Sequence, residues 1–233
     1  MPGEEDIEIL YEDNHLFIVN KKVSDIVQGD KTGDESLDRK IKSFIKKRDQ
    51  KPGDVYLGLP HRLDRPVSGV VVYTKTSKAL SRMNEIFREG NSEKIYRAIV
   101  KNKPARPSGV LEHYLVKNEQ QNKSYITKES TKGARLARLE YKTISSSENY
   151  HLLEIKLITG RHHQIRVQLA SMGCPIRGDL KYGFPRSNKN AGISLHARSI
   201  SFIHPVKKEK LYIEAPYPVD DIFDKFRAGS SDG

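Results

Sequence analysis

Residues 137–157 read ARLEYKTISSSENYHLLEIKL, and this stretch decides the fold. In its second half Leu153, Ile155 and Leu157 alternate with Leu152, Glu154 and Lys156, so one face of an extended chain is apolar. Residues 137–145 form another strand candidate directly before it, and no helical pattern separates the two. Downstream, residues 164–172 predict a helix with Ile165, Leu169 and Met172 inward and Gly173 at its end. Strand candidates follow at residues 195–196, 199–203 and 211–214. Upstream, strands are predicted over residues 110–115, 95–100 and 70–74, the last as a buried strand. Two further helices precede them in the reading outward. One starts at Ser77 with Leu80, Met83 and Phe87 on one face and Gly90 closing it; the other is capped by Asp34 and runs to about Lys47, with Leu37, Ile41, Phe44 and Ile45 as its stripe. Residues 7–11 and 16–20 predict a hairpin. Residues 117–132 are polar and predict a mobile loop or an extended hairpin. Strands outnumber helices and come in runs, which favours an α+β fold with a mixed, largely antiparallel sheet and flanking helices. No repeat or linker divides the chain, so one domain is expected over residues 1–225, with a flexible tail over 226–233.

The charge is unevenly distributed. The chain of 233 residues carries a net +11. From Lys101 to Lys142 there are ten Lys/Arg against four Glu, and from Gly160 to Lys189 six against one Asp, so these stretches hold +6 and +5. A charge run alone reads as a solvated face. Two basic blocks on a neutral remainder read better as the footprint of a polyanion, and nucleic acid is the expected partner. No amphipathic basic helix offers a Trp or Phe face to a membrane, and Trp is absent. No apolar run approaches the roughly 20 residues that span a bilayer. The acidic start and the lone Cys174 predict a reducing, cytoplasmic setting.

Two segments carry chemistry. The first is His61-Arg62-Leu63-Asp64-Arg65-Pro66-Val67-Ser68-Gly69, a loop before the predicted strand at 70–74. Asp64 stands between two arginines, whose charge favours its ionised form, and an ionised carboxylate can attack an anomeric carbon. In isolation, Asp64 also reads as a loop salt bridge or a turn cap. The second segment is Thr159-Gly160-Arg161-His162-His163-Gln164-Ile165-Arg166, which leaves a strand and enters a helix. Free N–H groups there, beside Arg161 and His162, suit a phosphate; the plainer alternative is a basic helix start facing solvent. Adjacent His162 and His163 with a solitary Cys174 give no zinc spacing, and no phosphate-binding glycine loop is present, so no metal or nucleotide cofactor is expected. His196 and His204 are read as structural.

Taken together, these segments resemble the RluA-type family of RNA pseudouridine synthases. His-Arg-Leu-Asp-x-x-x-Ser-Gly at 61–69 is similar to its catalytic loop. Lys94-Ile95-Tyr96-Arg97-Ala98-Ile99-Val100 is similar to its second motif, and Gly160-Arg161 through Arg166 to its third. Gly178-Asp179 with Tyr182-Gly183, then Leu195-His196-Ala197 with His204-Pro205, follow in the family's order, and Ile9-Leu10-Tyr11-Glu12-Asp13 resembles its opening strand. The chain departs from the pattern at Val67 and His162, where Thr is common, and at Lys22-Val23-Ser24, where Pro-x-Gly is usual.

The resemblance implies a pseudouridine synthase-like fold with a central catalytic cleft. It implies an isomerase that detaches uracil from its ribose, turns it and rejoins it through carbon five, without cofactor or metal. Asp64 would attack, Arg166 would pair with it, Tyr96 would pack against the uracil, and Arg62 would fill the space left by the extruded base. His61, Arg65, Arg161, His162 and Gln164 would join Arg62 in contacting RNA, either ribosomal or transfer RNA. The family's frequent N-terminal S4 domain has no counterpart in these residues, so the basic surface itself is expected to recruit RNA. The competing readings are an N-glycoside hydrolase acting on RNA and a non-catalytic RNA-binding protein. Oligomeric state is not readable from the sequence.

Overall fold

The computed structural model describes residues 7–29, 34–218 and 222–226. In chain order the elements are β1 (Glu8–Glu12), β2 (Leu16–Lys21), α1 (Leu37–Arg48), β3 (Ser68–Thr74), α2 (Ser77–Arg88) and β4 (Ser92–Val100). Then come β5 (Ser108–Asn118), β6 (Lys123–Thr127), β7 (Arg135–Ser146), β8 (His151–Leu157), α3 (Gln164–Ser171), β9 (Leu195–Ile203) and β10 (Lys210–Glu214). The fold is α+β with a largely antiparallel sheet system, as the runs of alternating residues predict. The chain forms two compact units, Met1–Ser92 with Arg198–Pro216 and Glu93–Ala197 with Tyr217–Gly233, where the sequence suggested no dividing point.

In the first unit the strand order is β1-β2-β3-β9, with β10 paired to β9. Every residue of β3 is buried, which explains its unbroken Val70-Val71-Val72 run. Leu16, Ile18, Val70 and Val72 pack with Met83 of α2 and with Ile200, Phe202 and Ile213. The β1–β2 turn is built on Asp13, whose Oδ1 accepts the N–H groups of His15 and Leu16, both at 2.8 Å. Its Oδ2 lies 3.0 Å from His204 Nε2 and 3.1 Å from Lys207 Nζ, so this turn is tied to the β9–β10 connection. Burial alone would raise the Asp13 carboxyl. The turn N–H groups, with Lys207 and Tyr11, outweigh burial and hold it well below the usual carboxylate range.

The helices lie where the apolar spacing places them, but their starts differ. Ser36, not Asp34, precedes α1, and Leu37, Ile41 and Ile45 are its buried stripe. Asp34 instead meets Arg65 at 2.9 Å. The cap of α2 is Thr76, whose Oγ1 accepts the Ala79 N–H at 3.1 Å, rather than Ser77.

In the second unit the order is β4-β8-β7-β5-β6, every neighbouring pair that has a defined register being antiparallel. The polar stretch 117–132 is an extended hairpin, the end of β5 turning into β6. Leu115 and Ala137 on one face pack against Val167 of α3 and Tyr182. A second cluster joins Ile99 and Leu152 to Phe223 and Phe226 in a short 3₁₀ turn. Phe226, placed in the tail by the sequence reading, is therefore core; residues 227–233 lie outside the described residues. Residues 195–203 form one strand rather than two, and its first three residues belong to this unit while Arg198 onward belongs to the other.

Candidate active site

The first candidate segment belongs to the first unit, and its conformation begins with Leu63 and Val67. Both are buried, at 7% and 2% exposure, and they pin the chain on either side of half-exposed Asp64. The Val67 N–H donates to the Asp64 carbonyl at 3.0 Å and closes the turn that displays this carboxylate. Arg62 and Arg65 remain exposed. His61 Nε2 accepts the Val72 N–H at 3.0 Å, and its ring stands edge-on to Phe87 at 5.3 Å. His61 thus anchors the loop to β3 and α2.

Beneath this turn lies Lys21, the last residue of β2, only 1% exposed. Its ammonium donates to the carbonyls of Lys22 at 2.9 Å, Arg65 at 3.0 Å and Val67 at 2.7 Å. All three of its protons are directed to backbone oxygens, two of which belong to residues just after Asp64. Burial draws the amine down to about 8, and the charges of Asp25 and Asp64 oppose that fall. The Arg65 carbonyl accepts a second bond, 3.1 Å from the Ser24 N–H. Ser24 has φ +75°, a left-handed conformation, at the position where the resembled family usually has glycine. The departure at 22–24 therefore keeps the glycine-type backbone and carries it on a serine.

The second segment belongs to the second unit. Gln164 is 3% exposed and both ends of its amide are hydrogen-bonded. Oε1 accepts from Thr159 Oγ1 at 2.8 Å and from the Arg161 N–H at 2.9 Å, while Nε2 donates to the Arg138 carbonyl at 3.1 Å. Gln164 therefore holds the turn before α3. Arg161 is exposed, its Nε donating to the Leu136 carbonyl at 2.9 Å. His162 is half-buried, with Nδ1 2.8 Å from Ser124 Oγ and Nε2 3.1 Å from Asn122 Oδ1. It stacks on His163 with centroids 3.8 Å apart. His163 precedes α3 at φ +54°, and its Nδ1 is 2.9 Å from the Tyr182 hydroxyl. Burial, followed by the charge of Arg166, pushes the His163 imidazole down to about 2, so it is neutral at physiological pH.

Arg166 is buried in α3 and forms a bidentate pair with Asp179, Nε to Oδ2 at 2.7 Å and Nη2 to Oδ1 at 2.9 Å. Its guanidinium carbon lies 5.1 Å from the Tyr182 ring centroid. Tyr96 is 8% exposed in β4 and lies across from Ile155 in β8. Strand alternation puts Lys94 on the same side of β4 as Tyr96, and burial draws that amine to about 8. The structure thus gathers His61, Arg62, Asp64 and Arg65 in one unit and Tyr96, Arg161, His162, Gln164 and Arg166 in the other. Lys21 had no role in the sequence reading, and Asp179 entered it only within the Gly178-Asp179 motif, without its pairing to Arg166. Gly178 has φ +87° and turns the chain before Asp179.

A sequence model of the RNA pseudouridylate synthase family matches residues 15–171. A Bacillus subtilis protein, described as the uncharacterized RNA pseudouridine synthase YhcT, is 30% identical over 224 residues, which is 94% of this chain and 72% of that one. The ribosomal large subunit pseudouridine synthase C of Haemophilus ducreyi is 33% identical over 228 residues, 94% of this chain and 69% of that one. Among solved structures, human RNA pseudouridylate synthase domain containing 4 superposes with a TM-score of 0.76 at 26% identity, over 91% of this chain and 89% of the other.

Proposed function

The chain belongs to the RNA pseudouridylate synthase family, and from that premise we propose that Asp64 is the carboxylate that attacks the target uridine. The enzyme isomerises uridine in RNA to pseudouridine. The observation that carries the assignment of Asp64 is the support beneath its loop. Lys21 and Ser24 fix the carbonyls of Arg65 and Val67, and Leu63 and Val67 are buried, so the carboxylate is offered from a rigid backbone. Preorganisation of this kind lowers the cost of bringing a nucleophile to its target. Tyr96 is proposed to pack against the uracil. Arg166 is proposed to keep the attacking carboxylate ionised, with Asp179 fixing its guanidinium plane. Arg62, Arg65, Arg161 and His162 are proposed as RNA contacts, Arg62 refilling the stack from which the uridine leaves. A likeness to a protein named for the large ribosomal subunit makes ribosomal RNA the proposed substrate.

The test is Asp64→Asn. It should abolish tritium release from RNA labelled at carbon five of uridine while RNA binding stays within about twofold. Turnover near that of the unmodified enzyme would reject Asp64. Liberated uracil in place of pseudouridine would instead identify a glycoside hydrolase. Carbodiimide mapping of pseudouridines in cells with and without the gene identifies the RNA, and a change confined to transfer RNA would overturn the ribosomal assignment.

A further inference from the structure

The β5–β6 hairpin and the adjoining β7 have two faces of different character. Leu115 and Ala137 face Val167 and Tyr182 and are buried, at 4% and 0% exposure. The opposite face follows from the register: Val116 lies across from Tyr125, and Tyr114 across from Leu136. Tyr125 and Leu136 are each 39% exposed, where a covered sheet face would be buried. Because β6 ends the strand order of this unit, the face is open along that edge. Tyr114 and Tyr125 sit diagonally on neighbouring strands, a spacing of roughly 7–8 Å that successive unstacked bases can bridge.

The rim of this face carries both signs of charge, with cations in excess. The Lys123 ammonium lies 5.3 Å from the Tyr125 ring centroid and 5.1 Å from that of Tyr182. The Arg138 side chain, 48% exposed beside Leu136, pairs with Glu112 at 3.8 Å, and the Tyr114 hydroxyl donates to Glu129 at 2.6 Å. Residues 108–146 carry seven Lys/Arg and four Glu, a net of 7 − 4 = +3. A second copy docking through the same face would bring the same local excess of positive charge and be repelled. A polyanion with aromatic bases is attracted on both counts.

We propose that this open face is an RNA-docking surface separate from the uridine site: bases of a single-stranded stretch stack on Tyr114 and Tyr125, and the backbone phosphates lie against Lys123 and Arg138. The inference rests on the reading that the substrate is RNA. It adds an affinity site that does not read sequence, because stacking accepts any base.

The chain contains no tryptophan, so Tyr125→Trp places one fluorophore on this face alone. Titration with a 12-nucleotide oligouridylate should quench it saturably, with a half-point that rises with salt; heparin, a polyanion without bases, should bind without quenching. Absence of quenching at oligonucleotide concentrations that saturate filter binding would overturn the proposal. So would a fluorescence change that grows with protein concentration in the absence of RNA, which would mark docking of a second copy. In parallel, Tyr114→Ala with Tyr125→Ala should raise the Kd for ribosomal RNA about tenfold while tritium release at saturating RNA stays within about twofold. A fall in turnover with unchanged Kd would also overturn it. If the unmodified enzyme releases no tritium, the reaction assignment fails, whereas the oligouridylate quench still judges the docking surface.

Discussion

Ser24 holds a backbone conformation that glycine adopts without steric cost, and its N–H supports the loop carrying Asp64. A non-glycine residue there stores roughly 1 kcal/mol, partly offset by the entropy that glycine loses on folding. Ser24→Gly should therefore raise stability by at most about 0.5 kcal/mol, about 1–2 °C in a thermal melt. A lower Tm would refute the strain argument. Lys21 is a harsher case. Lys21→Met removes a buried ammonium that serves three carbonyls, of which Arg65 keeps the Ser24 N–H; this should cost about 3 kcal/mol in urea unfolding at pH 7.5. The folded amine releases its proton near 8, against 10.5 in the unfolded chain. Between these values the unfolded chain holds more protons, so the contribution of Lys21 rises with pH and is complete above about 10.5. The gap between the unmodified protein and Lys21→Met should widen from pH 8 to pH 10.5. A constant gap would show that burial does not perturb this lysine.

At the level of elements, what could be read from the sequence was what repeats locally. Alternation around Ile155 marked β8, and the 3.6-residue spacing of Leu37, Ile41 and Ile45 marked α1. Helix starts were harder, because Ser36 competes with Asp34, and Thr76 with Ser77, as cap. The stretch containing β6 could be read only as a loop or a hairpin, because a strand with one buried residue, Ser124, has no apolar rhythm. The candidate site was legible as motifs but not as partners. Arg166 finds Asp179 across a separation of thirteen residues, and Lys21 finds the Arg65 carbonyl across forty-four; such pairings arise only in the folded chain. Asp179→Asn would leave the Arg166 charge buried with half its support. It should lower stability by about 3–5 kcal/mol and slow tritium release more than it weakens RNA binding. A double-mutant cycle with Arg166→Ala should show strong coupling between the two positions. Strictly additive effects would mean that the pair does not act as a unit.

Across the whole molecule, the excess of +11 predicts RNA affinity that falls linearly with salt on logarithmic axes. Arg161→Ala should weaken binding alike for different RNA sequences and reduce that slope by about 1. An unchanged slope would remove Arg161 from the contact surface. The path of the chain has another consequence. The first unit closes its core with Ile200, Phe202 and Ile213, yet residues 93–197 belong to the second unit. During synthesis, residues 1–92 emerge from the ribosome long before the strands that complete their apolar packing are made. Translation must pass residues 93–197 before that core can close.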